Sequence, residues 1–153
     1  LGLHRINIHL ASSLKSREYT ARVLREFPFP EFQEEKFISE DAVWIPMCLK
    51  YQMFFIRKPI YYCDYLEGGL TKSGRAMRLR SPLGGMARAK MLMLRQCGFP
   101  CRVKGALLYV CNGKIARKSF WNMYRTCDAH LFFSLSYPFG VLLYRLWKQK
   151  YSL

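Results

Sequence analysis

The sequence predicts an α/β chain with a basic, helical C-terminal extension. Three observations lead there. A strong helix start, Ser39-Glu40-Asp41, is followed by two aromatic, β-branched runs at residues 53–57 and 60–65 that suit strands. A proline loop, Phe27-Pro28-Phe29-Pro30, separates that helix from an earlier helical pattern. Beyond Thr71 the character changes to helical periodicity rich in Lys and Arg.

Taken in order, Ile6, Ile8 and Leu10 alternate with polar residues and read as a short strand. Residues 19–27 suit a short helix with Val23, Leu24 and Phe27 on one side. Ser39 is placed to cap a helix over residues 40–51, and Glu40 and Asp41 fall in its first turn, where exposed N–H groups favour acids. Pro46 should kink that helix or shift its start. Lys58-Pro59 divides the two strand runs, and Glu67-Gly68-Gly69 makes a turn. Residues 76–96 read as one basic amphipathic helix with Met86, Ala89 and Met93 on its apolar face. Shorter helices are expected at 104–111 and 118–125.

The tail is apolar and uncharged from 129 to 144, counting His130 as neutral. It is too short for the ~20 residues of a membrane-spanning helix, and Pro138 and Gly140 interrupt it. Trp147, Tyr151 and the neighbouring cations suit a membrane interface. A helical hairpin or interfacial segment is therefore expected, with a hydrophobic helix closing the core as the alternative. The organisation divides into 1–75 and 76–153.

Charge is uneven. The 153 residues carry a formal net charge of +15. Residues 1–71 balance nine basic against nine acidic groups, whereas 72–153 hold sixteen basic groups and one acid, Asp128. Such a half calls for anionic company: phosphate groups, an acidic membrane surface or nucleic acid. No nucleic-acid motif accompanies it, and the cations sit between apolar helical positions, so nucleic acid is the least favoured of the three. Six of the ten acids lie between Glu26 and Asp41, which marks that stretch as the place for a working carboxylate. The six cysteines form no Cys-x-x-Cys pair, and the three histidines do not converge with them, so zinc is not indicated. Reduced, mostly buried thiols are expected instead. Gly98 and Pro100 argue against a helix joining Cys97 to Cys101.

The runs Val23-Leu24-Arg25-Glu26-Phe27-Pro28-Phe29-Pro30-Glu31 and Glu35-Lys36-Phe37-Ile38-Ser39-Glu40-Asp41-Ala42-Val43-Trp44, then residues 51–65 and 66–73, form an ordered series. That series resembles the C-terminal half of the catalytic domain of family 2 glycosyltransferases, and the basic region and apolar tail resemble the tail of bacterial members. The resemblance implies a GT-A fold, a Rossmann-like α/β sandwich, present here only in part. It implies sugar transfer from a nucleotide diphosphate donor to an acceptor hydroxyl, usually with inversion, in surface polysaccharide or glycolipid synthesis. Asp41 matches the family's catalytic aspartate, with Glu40 beside it as an orienting or acceptor-binding group; helix-start capping is the alternative for both. Lys72 and Arg75 would contact the diphosphate unless they belong to a solvated loop. Trp44 would line the acceptor pocket unless it is a core aromatic. The family's divalent metal, Mg or Mn, is held by an Asp-x-Asp motif that this chain lacks. The chain is accordingly expected to be the C-terminal portion of a longer enzyme. Its expected partners are a nucleotide-sugar donor, a saccharide or lipid-linked acceptor and a membrane surface, at the cytoplasmic face of the cell membrane. A non-catalytic, basic membrane-surface protein is the other class the sequence suits.

Overall fold

The computed structural model describes residues 21–52 and 77–151. Six α-helices have both bounds among them, α1 (Ala21–Glu26), α2 (Asp41–Lys50), α3 (Pro82–Leu92), α4 (Gly98–Ile115), α5 (Phe120–Thr126) and α6 (His130–Tyr151), and residues 77–79 are helical as well. None of the described residues forms a strand, so the α/β, Rossmann-like expectation is corrected to a helical fold. The runs that suggested strands, at 6–10, 53–57 and 60–65, all lie outside the described residues, as does the boundary expected near 75.

The helical elements follow their local chemistry, with three corrections. The single helix expected over 76–96 is broken at Ser81, whose ψ of 63° is not helical. Pro82 explains the break. It starts α3 at a position that needs no N–H, and its ring disfavours helical backbone in the residue before it. Helix α4 begins six residues earlier than expected, at Gly98, and includes Pro100 and Cys101. Pro100 falls in the first turn, where backbone N–H groups have no intrahelical partner, so it costs no hydrogen bond. Gly98 has φ +74°, a value that favours glycine, and it redirects the chain from the 3-10 turn Arg95–Cys97 into α4. The tail is neither a hairpin nor interrupted: α6 runs through Pro138 and Gly140 as one helix.

Helix α4 is the central element, packed against α3 on one side and α6 on another. The main core joins Met86 and Ala89 of α3 to Ala106, Tyr109 and Val110 of α4, Met123 of α5 and Phe133 of α6. Small residues set the spacing of these seams. A Cβ on Gly105 would lie 2.9 Å from the Ala89 carbonyl oxygen, and one on Gly140 would lie 2.5 Å from Val110 Cβ. The buried Tyr109 hydroxyl stays satisfied: it lies 3.2 Å from the Met123 carbonyl oxygen and 2.8 Å from Thr126 Oγ1. A smaller cluster of Ile45, Leu92 and Cys97 ties α2 to the second half of the chain. Ala42, Val43, Ile45 and Met47 form the buried side of α2, so that helix is held firmly where its first turn presents Glu40 and Asp41.

Candidate active site

Helix α2 starts where the sequence indicated, but not by the expected cap. Ser39 contributes its carbonyl oxygen, which accepts from the Ala42 N–H at 3.0 Å. Glu40 occupies the cap position in helical conformation and makes no side-chain cap bond; its carbonyl accepts from Val43 and Trp44. The Glu40 side chain is solvent-exposed. Asp41 is the first helical residue, and Trp44 follows one turn later, partly buried on the same side of the helix. Asp41, Glu40 and Trp44 are thus brought together at one end of α2. Lys72 and Arg75 lie outside the described residues.

Asp41 has a partner that sequence reasoning missed. Arg88 of α3 donates from Nε to Asp41 Oδ2 at 2.6 Å, with the two side chains 18% and 29% exposed. The pair is half-sheltered, so the contact exceeds a fully solvated ion pair in strength and is less screened by salt. Among the described residues Oδ1 of Asp41 accepts no hydrogen bond, which leaves one carboxylate oxygen for an incoming hydroxyl. The same geometry gives Asp41 a structural task, fastening α2 to α3.

The acidic stretch as a whole is put to three structural uses. Glu26 accepts from Lys50 Nζ and the Tyr51 hydroxyl and so ties α1 to the end of α2. Glu35 caps α3: its two oxygens accept from the Leu83 and Gly84 N–H groups at 2.6 and 2.7 Å. Helix α3 has no acid in its own first turn, so Glu35 supplies the negative charge its N-terminus favours. A signal for this was available in Ser81-Pro82-Leu83-Gly84-Gly85, a helix start lacking its own acid and narrow enough for a carboxylate to approach the amides. Nothing comparable in sequence marks Arg88, which looks like any other cation on a basic helix. Asp41 is the third use; Glu31, Glu34 and Glu40 are exposed.

Three of the described cysteines are unsuited to act as nucleophiles. The described ones, at 48, 97, 101, 111 and 127, are thiols, and Cys97, Cys111 and Cys127 are buried. Burial pushes the Cys111 thiol up to about 12, and it raises Cys97 and Cys127 as well. Protonated thiols of this kind are inert at neutral pH. Among the described residues no three His, Cys, Asp or Glu side chains converge to hold a metal ion, and with Asp-x-Asp also absent the residues present do not fit the family's divalent metal.

Compared with protein-family models, with curated proteins and with solved structures, the chain matches none.

Proposed function

We propose that the chain is the C-terminal part of a glycosyltransferase, moving a sugar from a nucleotide diphosphate donor to the hydroxyl of a saccharide or lipid-linked acceptor. The observation that carries the reading is the ordered series from Val23 to Ser73, with its acid pair at a helix start. Asp41 serves as the base. Its Oδ1 takes the proton of the acceptor hydroxyl while that oxygen bonds to the anomeric carbon, and the diphosphate departs from the opposite face with the bonding electron pair. A carboxylate fixed at a helix start and partly exposed suits this work, because it is rigid yet reachable. Glu40 orients the acceptor from the exposed side of the same turn, and Trp44 offers it an aromatic surface. Lys72 and Arg75 stabilise the charge that develops on the leaving diphosphate.

One observation favours a second reading. The Asp41–Arg88 bond gives the aspartate a complete structural role, as expected in a non-catalytic, basic membrane-surface protein. The two readings separate in an assay of sugar transfer and donor binding on the intact enzyme and its Asp41→Asn variant. Loss of transfer with donor affinity retained supports the base. Near-normal turnover in the variant removes it.

A further inference from the structure

Helix α6 buries Phe133, Ser136 and Gly140 against the core. Its other side is no ordinary solvent face. Leu131, Leu135, Phe139, Leu142 and Leu146 are 70, 67, 64, 54 and 53% exposed. Their spacing of four, four, three and four residues places them on one stripe, about 22 Å long at 1.5 Å per residue. The stripe does not stop at the helix edge. Leu143 turns from it into an open apolar groove of about 460 Å³, walled on the α4 side by Phe99, Val103 and Leu107. Phe99 is itself 69% exposed. A continuous exposed apolar surface spread over two helices marks an interaction face.

The surrounding charge says what kind. Lys104 stands at the groove, and Arg145, Lys148 and Lys150 lie along and beyond the end of the stripe, all exposed. Arg102 lays its guanidinium 3.9 Å over the Phe132 ring, next to the Phe99 edge of the groove. Among the described residues no helix is long and apolar enough to cross a membrane. An amphipathic helix with a wide apolar face and flanking Lys and Arg lies in the plane of a lipid surface, sinking its apolar side to the acyl boundary while the cations meet headgroup phosphates. A second copy of the chain is a poor occupant, since it would bring two strongly basic halves together.

We infer that the α4–α6 face docks the protein flat on an anionic lipid leaflet, with the stripe and groove entering the acyl boundary. The inference stands whether or not Asp41 transfers sugar, because none of the residues it uses belongs to the candidate active site. The test is co-sedimentation with vesicles of phosphatidylcholine alone or with one-third phosphatidylglycerol, for the wild type and the triple variant Leu135→Ser/Phe139→Ser/Leu142→Ser. These three side chains are exposed, so the variant keeps its helical circular dichroism. The expected result is binding to the anionic vesicles, weakened by salt, much poorer binding to the neutral ones, and at least a tenfold loss in the variant. Wild-type protein that ignores anionic vesicles overturns the inference. So does equal binding by the variant, or a concentration-dependent dimer that the same substitutions abolish while vesicle binding persists.

Discussion

Gly140 is where α6 comes closest to the central helix, and Gly140→Ala measures how firmly that seam is set. The added Cβ would lie 2.5 Å from Val110 Cβ, 2.8 Å from its Cγ1 and 3.2 Å from the Leu107 carbonyl oxygen. Carbon atoms pack at about 3.5–4.0 Å, so the overlap is on the order of 1 Å. Val110 cannot relieve it: a β-branched side chain is stiff at χ1, and this one is fully buried. Helix α6 must therefore retreat from α4, loosening contacts along the seam. Overpacking of this kind costs about 1–3 kcal/mol, against which alanine regains up to about 1 kcal/mol of helix propensity. The net expectation is a destabilisation of about 1–2 kcal/mol. Gly113→Ala is the comparison. Its Cβ would meet the side chain of Met123, which is fully buried like Val110 but unbranched and more adaptable, so its cost is about 1 kcal/mol, smaller than at Gly140. Urea unfolding followed by far-UV circular dichroism reads both as shifts in midpoint at constant slope. A Gly140→Ala protein as stable as the wild type would refute the close seam and the placement of α6 with it.

Three further outcomes are expected. Glu35→Gln removes the charge and one of two short bonds at the start of α3, and lowers stability by about 1–2 kcal/mol in urea; an unchanged midpoint would show that the cap is idle. Cys111 is protonated in the fold up to about 12, above its ordinary thiol value of 9.0, so its contribution is whole below pH 9 and declines as pH rises from there. Stability at pH 10 should fall by on the order of 1 kcal/mol from this thiol, and Cys111→Ala should lose that part of the alkaline slope; identical slopes would contradict the burial. Arg88→Gln releases α2 from α3 at that point and lowers stability by about 1 kcal/mol, the value for a partly sheltered pair, with a loss that shrinks in high salt; salt-independence would argue against an ionic contact.

What could be read from the chain followed from local chemistry. The approximate place of α2 and the existence of α4 and α5 rest on first-turn acids and periodicity, which act within a few residues. What escaped was long-range. Arg88 reaches back 47 residues to Asp41, and Glu35 reaches forward 48 to Leu83, and no periodicity encodes either meeting. The continuity of the tail escaped because Pro138 and Gly140 break helices in isolation, whereas here Gly140 is the contact that lets α6 close on α4. The strand expectation drew on segments outside the described residues, so among those described the helical pattern stands alone. At the site itself, the residue types and their helix position were legible, but the competing ion pair was not.

That ion pair poses the question on which the functional proposal turns: base, or fastening. Turnover at saturating donor and acceptor, compared between Asp41→Asn and Arg88→Gln in the intact enzyme, answers it. Both substitutions remove the ionic part of the same contact. If Asp41 takes the acceptor proton, Asp41→Asn loses about 10²–10⁴-fold in kcat while Arg88→Gln stays within about tenfold of the wild type. Equal, small losses in the two variants would show that Asp41 only fastens α2 to α3, and would contradict the proposal that it is the base.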